Sequence, residues 1–170
     1  SGSRHLGKAV CDYFHEKARA LNRLWYSEVK EEHRLAFLPV HTREGQQYIR
    51  WMNLAMDYAF ENRAKMLEKI CAIVKELIEK HTELTVEFGE EVNCHHNYAA
   101  LENHYDANVW VHRKGAVRVR EGEKAVIPGA MGSYSYVVEG KGNRESFCTS
   151  SHGAGRSYSR SGAMQAFTTE

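Results

Sequence analysis

Near the C-terminal end, the residues Ser146-Phe147-Cys148-Thr149-Ser150-Ser151-His152-Gly153-Ala154-Gly155-Arg156 set one imidazole before a run without bulk and one guanidinium just beyond it. The glycines let the backbone adopt conformations closed to other residues, and no bulky neighbour of His152 bars the close approach of a phosphate. A free imidazole, with a pKa of about 6.5, offers an unprotonated ring nitrogen at neutral pH and later serves as a leaving group. It therefore suits group transfer. On composition alone, a Gly- and Ser-rich segment is more often a surface turn than a site.

Three further stretches carry candidate chemistry. Adjacent residues on a strand point to opposite faces, so of His95 and His96 one is expected to ligate a metal and the other to support it. A divalent ion needs more than one imidazole, and no other histidine sits in a recognisable ligand motif. Pro128-Gly129-Ala130-Met131-Gly132 reads by itself as a turn. Arg113-Lys114-Gly115 reads as the apex of a hairpin between residues 108–112 and 116–120.

In this order, Ser1-Gly2-Ser3-Arg4, Asn93-Cys94-His95-His96-Asn97, Arg113-Lys114-Gly115-Ala116, Ile127-Pro128-Gly129-Ala130-Met131-Gly132 and Ser151-His152-Gly153-Ala154-Gly155-Arg156 resemble the motifs of the RtcB family of RNA ligases. The resemblance runs from end to end and is densest over residues 91–160. It implies that His152 is a nucleophile guanylylated by GTP, with Arg156 and His95 beside it in the catalytic site. It implies a nucleotide pocket built from Asn97, Pro128, Gly129, Met131, Ser135, His152, Gly153, Ala154 and Gly155. His96 would be a ligand in a two-manganese (Mn2+) site whose other ligands match segments upstream of Ser1, and Arg4 would hold RNA phosphate. Ala130 stands where many members carry serine. Glu102 and His104 also match family positions, with no role assigned to them, and Cys94 is read as packing.

The implied activity joins RNA 3′-phosphate or 2′,3′-cyclic phosphate ends to 5′-hydroxyl ends, on tRNA halves or broken RNA, with an archease-type activator as a further expected partner. This chain alone is expected to be inactive. The rival reading is a non-catalytic RNA-binding module, using the basic half and the aromatics Trp110, Tyr134 and Tyr136.

These residues need a scaffold, and the hydrophobic pattern supplies one. Leu6, Val10, Tyr13, Phe14, Leu21, Leu24 and Trp25 recur at helical spacing and predict a helix ending near Glu32. Leu38-Pro39 predicts an extended connection and Thr42 an N-cap. Residues 44–81 carry a second helical pattern, as one helix or as two broken near Asn62. Beyond His81 the pattern turns β-like: residues 83–92, 124–127, 135–138 and 146–149 are expected as strands besides the hairpin. The fold class is α+β, long N-terminal helices packed on a β-rich C-terminal half, as part of an RtcB-like fold. Residues 1–170 form one partial catalytic domain, helical over 1–82 and β-rich over 83–170.

Composition narrows the function classes. A chain of 170 residues, 42% hydrophobic and 26% charged, is an ordinary globular protein, without the apolar run of a membrane helix or a secretory signal, which predicts a cytoplasmic location. Four cysteines without a Cys-x-x-Cys pair indicate reduced thiols. Net charge is +1, yet residues 106–160 hold nine Lys or Arg against five Asp or Glu. That local excess suits a polyanion, and on charge alone it equally suits a basic solvated surface.

Overall fold

The computed structural model describes residues 4–33, 35–130, 132–153, 155 and 157–167, together with the backbone but not the side chain of Arg160. The chain is α+β and divides into two compact units, 1–93 and 94–170.

In the first unit, α1 spans Arg4–Leu24 and buries Phe14, Ala18 and Asn22. It stops eight residues short of the expected end. Tyr26 takes φ +51, Tyr26 N–H donates to Arg23 O (3.1 Å) and Ser27 N–H to Asn22 O (2.9 Å), the bond pattern that closes a helix with a left-handed residue. The buried Asn22 amide pairs both ways with the Phe37 backbone, at 2.9 and 3.0 Å, and so fixes the connection. A short 3-10 helix occupies Glu31–His33 within that connection.

The second helix, α2, runs unbroken over Arg43–His81, 39 residues, with no break at Asn62. Thr42 caps it as expected, accepting from Gly45 N–H at 3.1 Å. Phe14 of α1 meets Tyr48 of α2 edge-on, ring centroids 5.5 Å apart.

No strand forms over residues 83–92. That segment runs back along α2 and binds the helix instead of a neighbouring strand: Val86 N–H donates to Glu79 Oε1 (3.3 Å), Arg63 Nε to Asn93 Oδ1 (2.8 Å) and Asn93 Nδ2 to Phe60 O (3.3 Å). Its alternating side chains therefore reflect an extended strap on a helix.

Among the described residues, the second unit holds six strands in three antiparallel pairs: β1 (Asn97–His104) with β2 (Ala107–Lys114), β3 (Ala116–Arg118) with β6 (Thr149–Ser151), and β4 (Lys124–Ile127) with β5 (Tyr136–Glu139). A short α3 follows at Arg160–Ala166. The expected hairpin is thereby corrected. The tight turn is Tyr105-Asp106, both at positive φ (+53 and +61), and β2 pairs backwards to β1, while β3 pairs with β6. Gly115, at φ +63, separates β2 from β3 instead of turning a hairpin. The strand expected over 146–149 lies over 149–151, because the preceding residues form a turn with Phe147 and Cys148 at φ +52 and +48. Val117, Val119 and Ala125 form the core of this unit, with Cys94 and Val138 packed against it.

Candidate functional site

His152 follows β6 directly, and β6 exists because Ala116, Val117 and Arg118 pair with Ser151, Ser150 and Thr149. Beyond the last pair, His152 N–H donates to Gly115 O at 3.2 Å. Gly115 N–H donates to the side-chain Oδ1 of Asn97 at 2.9 Å, and Ala116 N–H to His96 O at 3.4 Å. These bonds draw the start of β1 and the end of β6 to one corner. There the rings of His96 and His152 stack, centroids 4.4 Å apart and planes inclined by 25°.

The two adjacent histidines precede β1 and do not lie on a strand, so the alternation expected of them does not apply. Their rings still part company: His95 tilts against Tyr98, centroids 5.6 Å apart, while His96 faces His152.

A second wall comes from the loop between β4 and β5. A Cβ on Gly153 would lie 2.9 Å from Pro128 O and 3.3 Å from Pro128 Cγ, so the loop presses on the residue after His152. The loop is folded on itself: Gly129 N–H donates to Ser135 Oγ (3.1 Å) and Ala130 N–H to Ser133 Oγ (2.7 Å). A Cβ on Gly129 would fall 2.2 Å from Tyr134 O, so only glycine fits there. Of the predicted site residues, His96, Asn97, Pro128, Gly129, Ser135, His152 and Gly153 thus come together around one corner. Gly155 is exposed, and Arg4 opens α1 in the other unit, exposed. Met131, Ala154, Arg156 and the Ser1-Gly2-Ser3 stretch lie outside the described residues.

Beneath the corner lies a buried charged cluster that the sequence reading left without a role. Arg113 and Glu102 have side chains only 1% and 3% exposed and form a two-pronged ion pair, Nη1 to Oε1 at 2.5 Å and Nη2 to Oε2 at 3.0 Å. Arg113 also donates from Nε to Thr149 Oγ1 (3.0 Å), from Nη2 to Phe147 O (2.8 Å) and from Nη1 to Tyr98 Oη (3.3 Å). His104 Nε2 lies 2.9 Å from Glu102 Oε2, and since an ionised carboxylate only accepts, that nitrogen carries the proton. Burial pushes the Glu102 carboxyl up, but hydrogen bonds from Arg113 and His104 and the nearby guanidinium charge outweigh it and bring it to about 2. No strand was expected over residues 97–104; with β1 formed there, Glu102 and His104 sit two apart and share a face.

His96 offers a single imidazole, and the described residues contain no group of three His, Cys, Asp or Glu able to hold a metal ion. These residues do not by themselves complete a coordination shell.

The model of the family described as tRNA-splicing ligase RtcB matches residues 1–170. The chain belongs to the RtcB family. It is 37% identical over 171 residues to the RNA-splicing ligase RtcB of Escherichia coli K12, covering all of this chain and 42% of that protein. It is 32% identical over 188 residues to the tRNA-splicing ligase RtcB of Methanococcus maripaludis, and 33% identical over 186 to that of Thermococcus kodakarensis, covering 38% of each. The chain thus spans about two fifths of the length of these RtcB relatives.

Among the aromatics considered for RNA stacking, Tyr134 and Tyr136 are exposed, while Trp110 is half-buried on β2. No helix among the described residues is long and apolar enough to cross a membrane.

Proposed function

We propose that the protein containing this chain is a GTP-dependent RNA ligase that joins RNA 3′-phosphate or 2′,3′-cyclic phosphate ends to 5′-hydroxyl ends through a guanylylated His152. The observation that carries the reading is the placement of His152 in an RtcB-family chain: at a strand end, its ring against His96, its following glycine against the Pro128 loop. A ring nitrogen of His152 attacks the α-phosphorus of GTP and pyrophosphate leaves. A 2′,3′-cyclic end is first opened by water to the 3′-phosphate; GMP then passes from His152 to the RNA 3′-phosphate, and attack of the 5′-hydroxyl on that phosphate releases GMP.

In this reading Asn97, Pro128, Gly129, Met131, Ser135 and the Gly153-Ala154-Gly155 run line the nucleotide. Arg156 neutralises phosphate oxygens, His95 supports the site, and Arg4 holds RNA phosphate. Manganese is proposed as the metal, with His96 one of its ligands and the rest supplied by the whole protein; when bound it would polarise phosphoryl oxygens. tRNA halves or broken RNA are the proposed substrates and an archease-type protein the proposed activator, in the cytoplasm.

Labelled GTP tests the core of this reading. With manganese, the whole protein is expected to take up a covalent label that is labile in acid and stable in alkali, as a phosphoramidate is. His152→Ala should abolish it, while Ser150→Ala and Ser151→Ala keep it. Label that survives in His152→Ala, or that maps to a serine, overturns the proposal; RNA binding without any label would favour a binding module built on the exposed Tyr134 and Tyr136.

A further inference from the structure

The guanidinium of the buried Arg113 is spent on Glu102 and on the segment that delivers His152. Two nitrogens grip Glu102, and the same fork reaches Phe147 O and Thr149 Oγ1. Thr149 opens β6, and His152 follows the end of that three-residue strand. So short a strand has few ladder bonds of its own to set its height. The turn before it is held in a left-handed conformation at two successive non-glycine residues, Phe147 and Cys148, a conformation that persists only where its surroundings over-determine it. Arg113 supplies that constraint from one side, and Val119 N–H, donating to Cys148 O at 2.7 Å, supplies it from the other.

We infer that Arg113, locked by Glu102, is a positioning residue for His152: through Thr149 and Phe147 it sets the register and height of β6 and so aims the imidazole. The inference rests on the proposed role of His152 as nucleophile. An arginine is required, because a planar fork can hold a carboxylate with two nitrogens and still present its remaining N–H groups to a carbonyl and a hydroxyl, whereas a lysine ammonium cannot.

The Thr149 hydroxyl is the most selective point of attack, since removing it leaves the Glu102–Arg113 pair intact. In the whole protein, Thr149→Val should lower the rate constant of self-guanylylation at saturating GTP about tenfold or more, as expected of a misaimed nucleophile. The KM for GTP should change little, and Thr149→Ser, which restores the hydroxyl, should recover the rate. Thr149→Ala makes the same test without an added methyl should the valine protein fail to fold. Arg113→Lys should behave as Thr149→Val does. Nitrogen-15 NMR of the His152 ring gives a readout independent of catalysis: one sharp set of signals in the wild type and in Thr149→Ser, broadened or doubled signals in Thr149→Val. Absence of label in the wild type would remove the proposed function and leave the NMR comparison standing. Equal rates and equal ring spectra for the valine and serine proteins would overturn the positioning role.

Discussion

Glu102 stays ionised although almost wholly buried because its two oxygens face a guanidinium fork and a histidine N–H. With a folded value of about 2 against 4.5 for the free group, the carboxyl binds its proton more readily in the unfolded chain. The stabilisation is therefore complete above pH 4.5 and is lost as pH falls towards 2, a contribution on the order of 3 kcal/mol. Glu102→Gln should destabilise the protein at pH 7 by about 3–5 kcal/mol, because Arg113 remains buried without its counter-charge. Urea unfolding at pH 7 and pH 3 checks both parts: the gap between wild type and Glu102→Gln is expected to narrow at the lower pH. This cluster was only half legible in the sequence. Glu102 and His104 were marked only by family resemblance, since no strand was expected at β1 to set them on one face, and their partner Arg113 sat inside a motif that read as a hairpin apex, where an arginine is ordinarily solvated.

At the scale of elements, the helices were legible because a 3.6-residue apolar period leaves little ambiguity over many turns, and Thr42 announced the start of α2. The ends were less so: α1 stops where Tyr26 takes a left-handed conformation, which a tyrosine does not advertise. The same gap misplaced the hairpin. Tight two-residue turns are signalled by Asn-Gly or Asp-Gly pairs, and Tyr105-Asp106 carries neither, so Gly115 drew the turn to itself. The strands at 124–127 and near 135–138 were recovered because turn residues bracket them. Within the loop joining β4 and β5, Gly129→Ala should be poorly tolerated, since its methyl would meet the backbone oxygens of Tyr134 and Ser133. A cost of roughly 1–3 kcal/mol is expected from the forced shift, with a raised KM for GTP. Thermal unfolding and guanylylation kinetics on the same protein measure the two effects.

At the scale of the whole molecule, the residues proposed for chemistry are shared between two units: Arg4 belongs to the first, and the His152 corner lies within the second. Arg4→Ala in the whole protein is expected to slow sealing of RNA ends while leaving His152 labelling intact, and equal loss of both steps would contradict its assignment to RNA. Calorimetry with manganese addresses the metal. This chain by itself should bind the ion weakly, because His96 contributes one donor, and two tight sites would show that the ligands are misassigned. The topology of the second unit also has a kinetic side. β1 and β2 close over two residues, whereas Ala116 must find Ser151 across more than thirty, so the loop entropy opposing β3–β6 is the larger. The segment bearing His152 should therefore be among the last to order during folding and the first to open. Native-state hydrogen exchange would register this as a His152 amide, bonded to Gly115 O, that opens at lower free energy than the amides of β2. In the proposed reaction, the histidine that accepts a nucleotide and surrenders it would then sit on the part of the sheet that breathes most easily, with Arg113 as the clasp that brings it back to the same place each time.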